Sequence, residues 1–69
     1  MNTVTYYEAT EKLIERTFDN DEDARNWVEM KWKSMNYPQR QKAHWIICQD
    51  GNIVAVAAGV YSFTLLSVD

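Results

Sequence analysis

Hydrophobic and polar positions change their period twice along this chain. Thr3-Val4-Thr5-Tyr6-Tyr7 is a run of β-branched and aromatic residues, and Lys12-Leu13-Ile14-Glu15-Arg16-Thr17-Phe18 has the same strand-like composition. Together they predict a hairpin. Its connection, Glu8-Ala9-Thr10-Glu11, contains no Gly, Asn or Pro, so the register stays open. The period then becomes helical. Ala24, Trp27, Val28, Lys31, Trp32 and Met35 recur at three- and four-residue spacing, with Ala24, Val28 and Met35 in mid-stripe and the tryptophans at its margins. Asp19 or Asn20 can cap the first-turn amides, and Asp21, Glu22 and Asp23 oppose the positive end of the helix dipole. The Lys31 stem can lie along the apolar stripe while its ammonium reaches water. The helix should end near Met35 or Asn36, because Tyr37 precedes Pro38.

Beyond a polar loop, Gln39-Arg40-Gln41-Lys42, the period returns to two. Ala43–Gln49 reads as a strand, Asp50-Gly51 as a two-residue hairpin turn, and Asn52–Ala58 as the returning strand. A regular ladder would pair Cys48 with Ile53, Ile46 with Ala55 and His44 with Ala57 on one side. On the other it would pair Ile47 with Val54 and Trp45 with Val56. Both faces of this hairpin are apolar, whereas an antiparallel sheet in a lone domain commonly keeps one face polar. Gly59 marks a bend, and Val60–Leu66 reads as a fifth strand. The predicted fold is one α+β domain over residues 1–69: a small antiparallel sheet of four or five strands with one helix on one face, ββαββ plus a fifth strand.

Length limits what such a domain can bury. A 69-residue chain hides about 60% of the surface its unfolded form exposes, and without a staple a core of this size rarely leaves more than roughly 3–5 kcal/mol of net stability. Cys48 is the sole cysteine and His44 the sole histidine, so neither an internal disulfide nor a zinc cluster is expected. No cofactor is expected either. Met1-Asn2-Thr3-Val4 lacks the basic-then-apolar pattern of a secretory leader, and one free thiol suits a reducing cytoplasm. The uncharged stretch from Gly51 to Val68 is broken by two glycines and by Asn52, Ser62, Thr64 and Ser67, which favours strands over a membrane anchor.

Net charge is −3, unevenly placed. Residues 1–29 hold eight acids against Lys12, Arg16 and Arg25, while residues 30–69 hold Lys31, Lys33, Arg40 and Lys42 against Asp50 and Asp69. Such asymmetry can orient a partner.

The candidate chemistries are weak. His44 and Cys48, four residues apart on one strand, stand about 13 Å apart and form no dyad. Asp19, Asp21 and Asp23 have the opening spacing of a calcium loop, but Ala24 and Met30 occupy the positions that need glycine and glutamate. No motif defines a pocket that would tune Glu8, Glu11 or Glu15 for acid–base work, so the chain is not expected to be an enzyme. Lys31, Lys33, Arg40, Lys42 and His44, interleaved with Trp32, Tyr37 and Trp45, outline a nucleic-acid reading that the acidic balance opposes. The abundance of large rings and the two-sided hairpin favour a protein contact instead.

In size, acidity and element order, with Phe18-Asp19-Asn20-Asp21-Glu22-Asp23-Ala24-Arg25-Asn26-Trp27-Val28 leading from hairpin to helix, the layout resembles small phage-encoded anti-defence inhibitors. These are proteins of the anti-CRISPR and Dmd-type antitoxin kind. The resemblance implies stoichiometric binding to a host nuclease, toxin or defence complex. The expected contacts are Asp19, Asp21, Glu22 and Asp23 with the flanking rings Trp32 and Tyr37. Self-association through the apolar sheet face, as a homodimer, is the alternative reading, and a small nucleic-acid-binding protein a further one.

Overall fold

The computed structural model describes residues 1–68, and within them the chain forms β1 (Asn2–Glu8), β2 (Glu11–Phe18), α1 (Asp21–Lys33), α2 (Tyr37–Lys42), β3 (Ala43–Gln49), β4 (Asn52–Ala58) and β5 (Thr64–Ser67). All strands are antiparallel in one open sheet of order β2-β1-β3-β4-β5. The α+β architecture therefore matches the sequence expectation, fifth strand included.

Helix α1 starts where capping chemistry is strongest. The Asn20 carboxamide accepts from the Asp23 N–H at 2.8 Å and donates to the Asp23 carboxylate at 3.2 Å. A cap of this type stabilises a helix by about 1 kcal/mol. Ala24, Trp27, Val28 and Trp32 are buried against the sheet. The helix ends at Lys33 with Ser34 as its C-cap, slightly before the expected stop.

The segment read as a polar loop is instead α2. Asn36 is its N-cap, and Asn36 and Gln39 exchange side-chain bonds in a reciprocal capping box. Pro38 sits in the first turn of α2, where its missing N–H costs nothing, and Tyr37, expected to be biased away from helical geometry, is the first residue of that helix.

Two bulges set the register. In the first hairpin Tyr6 pairs with Ile14 but Tyr7 with Lys12, leaving Leu13 as the extra residue; the turn uses Ala9 at φ 53°. In the second, Asp50 (φ 52°) and Gly51 (φ 84°) form the turn that the Asp-Gly pair predicts, and both central residues have the positive φ of a type I′ turn. Beyond Cys48–Ile53 the ladder departs from the regular expectation. Val54 is the extra residue, so Ile47 pairs with Ala55, Ile46 with Val56, Trp45 with Ala57 and His44 with Ala58. The reason is packing volume. A regular ladder would set Val54 and Val56 beside Ile47 and Trp45 under the helix, whereas the bulge places alanines there and turns Val56 outward.

The core lies on the helix side of the sheet. It comprises Val4, Tyr6, Ala24, Trp27, Val28, Trp32, Ala43, Trp45, Ile47, Ala55 and Ala57, with Phe18, Met35, Val54, Phe63 and Leu65 packed around it. The Tyr6 ring stacks on Trp45 at 5.2 Å, Phe18 meets Trp27, and Phe63 meets Trp32. Residues 59–63 make the β4–β5 connection, which is why β5 begins later than Val60. Gly59, at φ 145°, has its backbone pressed against Ser62.

Candidate protein-binding face

Alternation along the strands divides the sheet into two unlike faces. Opposite the helix, β3 presents His44, Ile46 and Cys48; β4 presents Ile53, Val56 and Ala58; β5 presents Thr64 and Leu66. Leu66 is 61% exposed, Ile53 49% and Val56 36%. A shallow, largely apolar depression of about 210 Å³ lies here, lined by His44, Ile46, Val56, Ala58, Thr64 and Leu66 among others. The same face is polar on β1 and β2, where Thr3, Thr5, Thr17, Lys12 and Glu15 project. Lys12 and Glu15 form an exposed ion pair at 2.9 Å. Tyr7 and His44 mark the border, their rings parallel within 3° at 5.0 Å.

The residues predicted as contacts are scattered rather than assembled. Asp21 ties the helix to the sheet: it accepts from the buried Asn2 carboxamide at 3.1 Å and pairs with Arg25. Asp23 belongs to the cap. Asp19 and Glu22 are exposed. Trp32 is 8% exposed, donates its indole N–H to the Gly59 carbonyl at 2.7 Å and carries the Arg40 guanidinium 3.7 Å above its ring. It is a core residue, which corrects its reading as a flanking contact ring. Tyr37 is 57% exposed and packs edge-on against the exposed Tyr61. Asp21 to Asp23 sit at one end of α1 and Trp32 near the other, about 14–17 Å away along the helix, with Tyr37 beyond it. The acids and the rings therefore form no single patch.

Charge is nevertheless sorted in space. The pairings Asn2–Phe18 and Asn2–Gln49 bring Asp19, Asp21, Glu22, Asp23 and Asp50 to one end of the sheet. Lys31, Lys33, Arg40 and Lys42 collect near the other end, where Trp32 bonds Gly59 and Glu8 pairs with Ala43. All four of these bases are engaged: Lys31 lies over Trp27, Arg40 over Trp32, Lys33 beside Glu29 and Lys42 beside Glu8. The five acids at the first end outnumber the nearby Arg16 and Arg25, while Glu8, Glu11 and Glu29 offset part of the charge at the second, so the fold keeps an acidic end and a weakly basic one.

A second depression, of about 180 Å³, opens between α1 and the sheet near Tyr6, Trp27, Lys31, Met35 and Trp45. Tyr6 donates its hydroxyl to Glu8 at 2.8 Å, and its pKa is pushed up to about 12, first by burial and then by the hydrogen bond and charge of Glu8. The folded chain holds this proton after the unfolded chain, in which tyrosine has its ordinary value of 10.0, has released it. Stability from this group is therefore complete below about pH 10 and is lost as pH rises toward 12. Alkaline unfolding followed by circular dichroism should show this decline, and Tyr6→Phe should flatten it.

Among the described residues no helix is long and apolar enough to cross a membrane, and no group of three or more His, Cys, Asp or Glu side chains is placed to hold a metal ion. His44 and Cys48 lie on the open face of one strand, separated as expected. The fold and this face together define an open-faced α+β domain, helix-covered on one side. Comparison with known proteins found no matching family model, no matching curated protein and no matching solved structure.

Proposed function

We propose that the chain is a non-catalytic protein-binding domain that acts by occupying the surface of its partner, with the open face of β3, β4 and β5 as the contact. The observation that carries this reading is the apolar row Ile46, Val56 and Leu66, with Ile53 beside it, on the face that α1 leaves uncovered. Apolar side chains contiguous across adjacent strands and bordered by Thr, Lys and Glu have the anatomy of an interface core with a polar rim. The acidic end supplies orientation toward a basic partner. With the layout's resemblance to anti-defence inhibitors, this leads to stoichiometric blocking of a host nuclease, toxin or defence complex in the cytoplasm.

The test is capture from a bacterial lysate with the tagged chain, the retained proteins being identified by mass spectrometry. Two folded variants accompany it, Val56→Glu on the open face and the pair Asp19→Lys, Glu22→Lys at the acidic end. A partner held by the parent chain and by the acidic-end variant, but lost with Val56→Glu, is the expected result. Loss with the acidic-end variant and retention with Val56→Glu would move the contact to the helix start and overturn the open-face assignment.

A further inference from the structure

The two edges of the sheet are dressed differently. β2 carries Glu11, Lys12, Glu15 and Arg16, the kind of charge that keeps an edge from pairing with another chain. β5, Thr64-Leu65-Leu66-Ser67, carries none. The β4–β5 connection is held on the helix side by Phe63 against Trp32 and Tyr61 against Tyr37.

One hydrogen bond shows where the β5 backbone points. The Val68 N–H donates to the Val54 carbonyl at 2.8 Å, and Ser67 stands opposite Ala55. Antiparallel pairs alternate between bonded and non-bonded, so Ala55–Ser67 is non-bonded, Val56–Leu66 bonded and Ala57–Leu65 non-bonded. Leu65 and Ser67 consequently direct both N–H and C=O away from β4, off the edge of the sheet.

We infer that this edge pairs with β5 of a second copy, antiparallel and centred on Leu66, joining two five-stranded sheets into one. The proposal goes beyond the partner-binding reading and does not depend on it. Directly opposed residues of an antiparallel pair point to the same face. With a two-fold axis perpendicular to the sheet, Leu66 meets Leu66 on the open face, Leu65 meets Ser67 on the helix face, and the outward groups of Leu65 and Ser67 bond in both directions. The axis also turns the second copy end for end. The Asp19 to Asp23 end of one copy then lies alongside the Lys31 to Lys42 end of the other, so the charge polarity favours this occupant. Arg25, which donates to the Ser67 hydroxyl at 3.3 Å, is already paired with Asp21 and brings little repulsion to the axis. A four-residue strand and one leucine row bury less than a standard interface, placing the dimer in the transient class below about 1,200 Å². Its open faces merge into one.

Sedimentation equilibrium over a wide concentration range, with amide exchange measured at both extremes, tests this. The average mass should rise from 8.1 kDa toward twice that value as concentration increases. The amides of Leu65 and Ser67 should gain protection with it, while that of Leu66, bonded to Val56, is protected throughout. Ser67→Pro removes an outward N–H without removing a bond to β4, and Leu66→Lys sets like charges on the axis; both should remain monomeric and folded by circular dichroism. A constant mass of 8.1 kDa across the range would overturn the proposal. So would a rise in mass without new protection at Leu65 and Ser67, or a Ser67→Pro chain that dimerises like its parent, since either would mean association through another surface.

Discussion

Replacing Trp45 by alanine is expected to leave the chain largely unfolded at room temperature. Trp45 is 1% exposed, lies on the central strand β3 and is flanked in register by Tyr6 on β1 and Ala57 on β4. Its ring stacks on Tyr6 at 5.2 Å. Truncating a buried tryptophan costs about 3–5 kcal/mol, through lost transfer energy and the cavity left behind. That matches or exceeds the roughly 3–5 kcal/mol that a domain this size rarely surpasses. No disulfide holds the remainder together, since Cys48 is a free thiol. Loss of near-ultraviolet dichroism and of a cooperative thermal transition is the expected readout. Trp45→Phe, which keeps a stacking ring, should melt at an intermediate temperature; a Trp45→Ala chain melting like the parent would show that the core does not pivot on this ring.

Gly59→Ala should be nearly as damaging, although it adds one methyl group. A Cβ at Gly59 would stand 2.0 Å from the Ser62 carbonyl oxygen, and φ there is 145°, which side-chain-bearing residues rarely adopt. The collision is with backbone, so no rotamer change relieves it. Relief requires the turn to move, taking with it the Gly59 carbonyl that receives the Trp32 indole and the Phe63 ring packed on Trp32. Strain and overpacking together should cost about 2–5 kcal/mol. Gly51→Ala is the control. Gly51 also has positive φ but nothing within 4 Å, so only the backbone preference opposes a side chain, about 1–2 kcal/mol. Chemical denaturation of the two variants should separate them clearly, and equal costs would contradict the steric account.

Much of the fold was legible locally. The Asn20 cap with its three following acids, the stripe from Ala24 to Trp32 and the Asp50-Gly51 turn each express a preference satisfied within a few residues. The failures lay where distant residues decide. Pro38 signals a helix stop in the sequence, but its place in the first turn of α2 depends on Asn36 and Gln39 bonding each other across the turn. The Val54 bulge has no local signal, because nothing in Asn52–Ala58 shows how much volume the core leaves beside Ile47 and Trp45.

The candidate face was half visible. A two-sided apolar hairpin could be read directly, and it forms the middle of the open-face row with Ile46, half-buried, and Val56, exposed. The bulge decided which side chains reach that row. Trp32 could not be placed from its stripe, because a ring at the margin of a helix can turn to solvent or to core. Here Gly59, Arg40 and Phe63, all remote in sequence, hold it inside.

The amino-acid sequence by itself determined the element types, their order, the helix start and the second turn, because capping, period and turn chemistry act between near neighbours. Only the tertiary structure decided the strand order, the two bulges and the burial of all three tryptophans, because these depend on volumes shared by segments far apart in the chain. The same holds for charge. Only the folded chain brings Asp19, Asp21, Glu22 and Asp23 together with Asp50 at one end of the sheet, and sets Glu8 and Glu11 among the bases at the other.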